Sequence, residues 1–122
     1  MRLSDVAQGI GARVLTHASR LPSIQVERVS AADKLSDLMD QASDATVLVS
    51  HLSNPHLAHI ADLLDVPCIC LLDDAIPGEA LVQAAQDTGK VLLVSPTDLQ
   101  DTCRRLRGCG LQCIHGQREQ TP

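Results

Sequence analysis

The chain has 122 residues, 44% of them hydrophobic, and a formal charge of −5, which is enough for one domain whose folding buries roughly two thirds of its unfolded surface. Lysine and arginine are scattered, so there is no basic stripe for a nucleic-acid backbone, and the absence of Phe, Tyr and Trp removes single-strand stacking platforms and membrane aromatic belts. No apolar run approaches the ~20 residues of a membrane span, and residues 1–5 lack the basic and apolar regions of a secretory signal, so a cytoplasmic protein with no nucleic-acid or membrane partner is expected.

Taken in chain order, Leu3, Val6, Ala7 and Ile10 form the i, i+3, i+4, i+7 stripe of a helix packed on one face, with Ser4 as its cap and Gly11 as its left-handed stop. Residues 13–16 and 24–29 mix polar with apolar side chains and read as edge strands, free to run antiparallel to the rest. Leu35, Leu38, Met39 and Ala42 predict a second helix. Residues 47–49 are continuously apolar, as a strand covered on both faces must be.

The next helix carries its own start signal. Asn54 can accept from first-turn N–H groups and Pro55 suits the first helical position, ahead of the stripe Leu57, Ile60, Ala61 and Leu64. A second buried strand spans residues 68–72, and Ala80, Leu81, Ala84 and Ala85 predict a fourth helix ended by Gly89. A third buried strand, residues 91–94, leads into Ser95-Pro96-Thr97-Asp98, a serine cap with a proline and a carboxylate, and the fifth stripe is Leu99, Thr102, Cys103 and Leu106. Strand, helix, strand, helix, strand with right-handed crossovers gives a three-layer α/β/α sandwich with a mostly parallel central sheet, about five strands and five helices. One domain is expected over residues 1–115, with a disordered polar tail at 116–122.

In such a sheet ligands bind beyond the carboxyl ends of the strands, where here the loops 50–54, 73–76 and 95–98 converge. Ser50, His51, Ser53, Asn54, Ser95 and Thr97 offer hydroxyls, polar groups and helix N-termini suited to an anion, and Asp73 and Asp74 offer acceptors for ribose-like hydroxyls. Helix capping explains the serines and Asn54 without any ligand, and a solvated turn explains the aspartates equally well. The five cysteines, Cys68, Cys70, Cys103, Cys109 and Cys113, lack paired metal-ligand spacing, and His51, His56 and His59 lack an HExxH context, so no metal and no cofactor are expected. Neither a nucleophile elbow nor a P-loop is present, so no catalytic residue is assigned and the protein is read as a non-enzyme.

Asp33-Lys34-Leu35-Ser36-Asp37-Leu38, then Leu48-Val49-Ser50 with Asn54-Pro55, then Ala61-Asp62-Leu63-Leu64-Asp65-Val66-Pro67 follow one another in an order and spacing that resembles the DRTGG domain. The resemblance covers nearly the whole chain, from the first helix to Cys103-Arg104-Arg105-Leu106, although the name-giving glycines are replaced around Ser36-Asp37. It implies a small regulatory α/β domain, related to the N-terminal domain of HPr kinase/phosphorylase and to a middle domain of long phosphate acetyltransferases, whose stand-alone members accompany redox or hydrogenase systems. Asp33, Ser36 and Asp37 match its motif as ligand contacts, while capping and charging the helix that begins at Leu35 accounts for them equally. Two functions stay open: a homodimeric sensor of an anionic metabolite or nucleotide, or an interaction module that docks a protein partner such as a kinase or redox enzyme without a small ligand.

Overall fold

The computed structural model describes residues 1–31, 46–50 and 54–115. Its elements in chain order are α1 (Leu3–Ile10), β1 (Arg13–Val14), a 3-10 helix (Ala18–Ser23), β2 (Arg28–Ala31), β3 (Thr46–Ser50), α2 (His56–Leu63), β4 (Cys68–Leu71), α3 (Glu79–Asp87), β5 (Val91–Val94), α4 (Leu99–Gly108) and β6 (Gln112–His115). The strands form one sheet in the order β1-β5-β4-β3-β2-β6. Among the described strands only β1 runs antiparallel, so the sheet is mostly parallel, with helices on both faces, and the three-layer sandwich is as expected.

Residues of β3, β4 and β5 are buried throughout, which is why their sequences are continuously apolar. Alternation divides them between two cores. Val47, Val49, Cys68, Cys70, Val91 and Leu93 face Leu3, Val6 and Ile10 of α1 and Cys103 and Leu106 of α4. Leu48, Ile69, Leu71, Leu92 and Val94 face Leu57, Ala58 and Ala61 of α2 and Leu81, Ala84 and Ala85 of α3. The steps β3 to β4 to β5 all move the same way across the sheet, so their crossovers α2 and α3 share a face, while α4 returns to the far edge across the other.

Several local expectations are corrected. Residues 24–29 are not an edge strand: the strand starts at Arg28, runs parallel, and lies between β3 and β6. Its polar Arg28 and Ser30 suggested an edge, but β6, unforeseen in the sequence, covers that side. Ile24 and Gln25 pair instead with the chain start, where Leu3 N–H donates to Ile24 O at 2.9 Å and Arg2 bridges Gln25. Helix α1 begins at Leu3 after Arg2, so Ser4 lies inside its first turn and caps nothing. Gly11 does take the left-handed stop (φ 68), as does Gly89 (φ 72) after α3. Among the described residues there are six strands and four α-helices, in line with the expectation of about five of each; the helix predicted over residues 35–42 lies outside the described residues, as do residues 116–122.

The β1 edge ends in a side-chain substitution for backbone pairing. Leu15 N–H donates to Leu92 O at 2.8 Å, and the 2% exposed Thr16 then continues the ladder with its hydroxyl, donating to Lys90 O at 2.7 Å and accepting from Leu92 N–H at 2.9 Å. The Ser30 hydroxyl, by contrast, is fully buried without a hydrogen-bond partner. Thr16→Val should therefore lower the unfolding free energy by about 1–3 kcal/mol, while Ser30→Ala should leave it unchanged or raise it by up to about 1 kcal/mol. Urea denaturation of the two variants checks this ranking, and a costlier Ser30 change would refute it.

Candidate functional site at the carboxyl edge of the sheet

Ser50, Leu71 and Val94 stand side by side where β3, β4 and β5 end, so the loops that follow them share one edge. From β4 the chain turns toward α3 on one face, and from the adjacent β5 it turns toward α4 on the other. Adjacent strands whose connections part to opposite faces leave a crevice between them, the usual ligand position in this architecture. Here that position is the junction of loops 73–78 and 95–98, whose main chains hydrogen-bond directly to each other.

Its base is a buried hydroxyl cluster. Ser95 Oγ lies 2.7 Å from Thr102 Oγ1 and 3.2 Å from Thr97 Oγ1, with Thr97 and Thr102 2.9 Å apart, and both Ser95 and Thr102 are fully buried. Ser95 is thus not the helix cap expected of it. That role falls to Asp98, whose Oδ1 accepts from Asp101 N–H at 2.9 Å, because Ser95 and the two following residues still belong to the strand exit and α4 starts only at Leu99. The loop after β4 is fastened to this cluster: Asp73 N–H donates to Thr97 O at 2.9 Å and Asp74 N–H to Ser95 O at 2.8 Å, with both aspartates in the left-handed region (φ 58 and 53). Such backbone costs a non-glycine residue roughly 1–2 kcal/mol and persists only where surrounding bonds impose it.

On the β3 side, Asn54 does cap α2. Its Oδ1 accepts from His56 N–H at 2.9 Å and its carbonyl from Leu57 N–H at 3.0 Å, while Pro55 already has helical dihedrals (φ −59, ψ −19). His56 and His59 follow on the first turn with ring centroids 6.3 Å apart. Toward α4 the edge opens into a shallow depression of ≈ 340 Å³ lined by Thr97, Asp98, Gln100, Asp101 and Arg104, where Arg104 pairs with Asp101 at 2.8 Å.

Of the residues singled out in the sequence, Asp73, Ser95 and Thr97 thus meet in one hydrogen-bonded group, Ser50 is buried at the end of β3, and Asn54 stands apart at α2. His51, Ser53, Asp33, Ser36 and Asp37 lie outside the described residues. Two members went unrecognised. Thr102 sat on an apolar helix stripe, where a buried hydroxyl demands a partner, and that was a usable signal. Arg13, which reaches Asp74 Oδ1 at 3.2 Å and Ala75 O at 3.1 Å, arrives through the antiparallel pairing of β1 and had no local signal. Among the described residues, no three His, Cys, Asp or Glu side chains gather where a metal ion would sit, and no helix is long and apolar enough to cross a membrane.

Cys68 and Cys70 lie beneath the site, fully buried on the α1–α4 face. Burial pushes both thiols up, Cys68 further through its neighbour Cys70, and Cys70 to about 12 although the Ser95 backbone opposes the rise. They are packing groups in their protonated form, consistent with small buried hydrophobes.

No family model and no curated protein matches the chain. Among solved structures it is similar to the crystal structure of the CBS and DRTGG domains of the regulatory region of Clostridium perfringens pyrophosphatase complexed with activator, diadenosine tetraphosphate, with a TM-score of 0.68 and 15% identity. The match covers 86% of this chain and 45% of that one, so the chain spans less than half the length of the structure it resembles. At this identity the likeness is one of fold.

The buried thiols set a pH limit. Both are raised above their unfolded value, near the ordinary 9.0, so their contribution to stability is complete below that pH and is lost as pH climbs toward 12. The unfolding free energy from urea denaturation should hold level to about pH 8 and then fall by up to about 1.4 kcal/mol per pH unit for each thiol. A Cys68→Ala/Cys70→Ala chain, weaker at pH 7, should show a shallower fall between pH 9 and 11. Equal slopes in the two chains would contradict the assignment.

Proposed function

We propose that the chain is a non-catalytic regulatory domain of the DRTGG type that binds an anionic metabolite or nucleotide at the carboxyl edge of its sheet. The observation that carries this reading is the parting of α3 and α4 to opposite faces from the adjacent strands β4 and β5, which leaves the loops 73–78 and 95–98 facing each other. Its fold likeness to a regulatory region complexed with a nucleotide activator supports the same reading. Asp73, Ser95 and Thr97 would border the ligand, with Ser50 at the end of β3, Asn54 at the start of α2, His51 and Ser53 as further contacts expected from the sequence, and Asp33, Ser36 and Asp37 as motif-matched contacts. A two-fold homodimer belongs to the proposal, and light scattering should give twice the mass of the chain; a monomer mass would remove that part.

A second reading has an observation of its own. Asn54, Ser95, Thr97 and Asp98 are all engaged in bonds within the edge, so they need no ligand to account for them. The domain would then act as a docking module for a kinase or a redox or hydrogenase-type enzyme.

A thermal-shift screen with diadenosine tetraphosphate, adenine nucleotides, and acyl and sugar phosphates separates the two. A ligand at 100 times its Kd adds about 2.7 kcal/mol, several degrees for a domain of this size. A saturable rise with a phosphorylated compound is expected. A flat screen across all of them would leave the docking reading in its place.

A further inference from the structure

Arg13 stands on β1 opposite Val94, the last residue of β5. From there its Nη2 reaches past the end of β5 to the β4 loop, donating to Ala75 O at 3.1 Å and pairing with Asp74 Oδ1 at 3.2 Å. The contact ties the outer edge strand to one wall of the crevice. That wall is a loop held in an unfavourable backbone: Asp73 and Asp74 are both left-handed, and their N–H groups are spent on Thr97 and Ser95 carbonyls of the opposite wall. Beyond them the loop carries Ile76, 90% exposed, before α3 begins.

Three other cations among the described residues are placed differently. Arg28 opens β2 and Lys90 precedes β5, both at the amino edge of the sheet, and Arg104 is committed to Asp101 on α4 at 2.8 Å. The Arg13–Asp74 pair is open to water, with side-chain exposures of 50% and 68%, so a dissolved oxyanion can compete for the guanidinium. A guanidinium binds a phosphate bidentately through its fork of donors, which a single carboxylate oxygen at 3.2 Å does not match.

We propose that Arg13 and Asp74 form a latch over the crevice that a phosphate-bearing ligand opens: the ligand takes Arg13, Asp74 is released, and residues 73–78 shift together with the exposed Ile76. Occupancy of the site is thereby converted into a change of surface at the loop that leads into α3. The latch rests on the anion-binding reading and adds to it the residue that meets the charge.

Inorganic tripolyphosphate is the probe, followed through the backbone amide signals of Asp73, Asp74, Ala75 and Ile76 by NMR. A saturable shift is expected, with faster hydrogen exchange at Asp73 and Asp74. Arg13→Gln should weaken tripolyphosphate binding at least tenfold. Asp74→Asn removes the competing charge yet keeps a residue that accepts left-handed backbone, so it should bind about two- to fivefold more tightly, the strength of an exposed ion pair. A pair with only a structural role would give no tightening in Asp74→Asn, and that result, unmoved loop signals, or undiminished binding in Arg13→Gln overturns the latch. A nucleotide hit in the thermal screen whose affinity Arg13→Gln leaves intact overturns the latch alone, while the absence of binding by every phosphate compound overturns the anion-binding reading with it.

Discussion

Burial of β3, β4 and β5 on both faces is the constraint from which the rest of the molecule follows. With no Phe, Tyr or Trp in the protein, the two cores are closed by aliphatic side chains and cysteines. On one face the sheet presents Leu48, Ile69, Leu71, Leu92 and Val94, and the helices answer with Leu57 and Leu81 among the small Ala58, Ala61, Ala84 and Ala85. On the other the sheet presents valines, Leu93 and the two cysteines, and the helices answer with Leu3, Val6, Ala7, Ile10, Cys103 and Leu106. Both helix layers are held to the sheet by close packing of aliphatic side chains, so a change of even one methylene is felt across the sheet.

A sheet covered on both faces has a polar problem at its ends, where strands stop pairing before water is reached. At the carboxyl edge this is met by the Ser95, Thr97 and Thr102 hydroxyls, by the Asp73 and Asp74 amides and by the caps of Asn54 and Asp98. At the amino edge the Thr16 hydroxyl, between Lys90 O and Leu92 N–H, does the same work for β5. Left-handed non-glycine residues occur singly at the amino edge, at His17 and Asp65, whereas at the carboxyl edge two in succession, Asp73 and Asp74, make the connection. Strain held in place by neighbouring bonds is a conformational reserve, and here it lies where the loops of β4 and β5 part.

Much of this was legible in the residues because burial and periodicity speak directly. Short continuous aliphatic runs bounded by turn residues suit strands covered on both faces, and Val47, Ile69 and Leu92 do lie in neighbouring strands of one sheet. Asn54-Pro55 announced a helix start and is one. What stayed hidden depends on partners distant in sequence. Arg28 and Ser30 look like edge residues until β6 closes beside them, and β6 itself is a four-residue strand without alternation to mark it. Ser95 and Asp98 are both good caps by type, and only the point at which β5 releases the chain decides between them. Arg13 joins the site by strand pairing alone.

The central claim is that the crevice between the β4 and β5 loops is where this domain takes its ligand. A crystal structure with the phosphorylated compound that gives the largest thermal shift tests it most directly. The ligand is predicted between residues 73–78 and 95–98, in contact with Arg13. A ligand bound at the amino edge beside Thr16, Gly89 and Lys90, or on the outer face of a helix, would contradict the account.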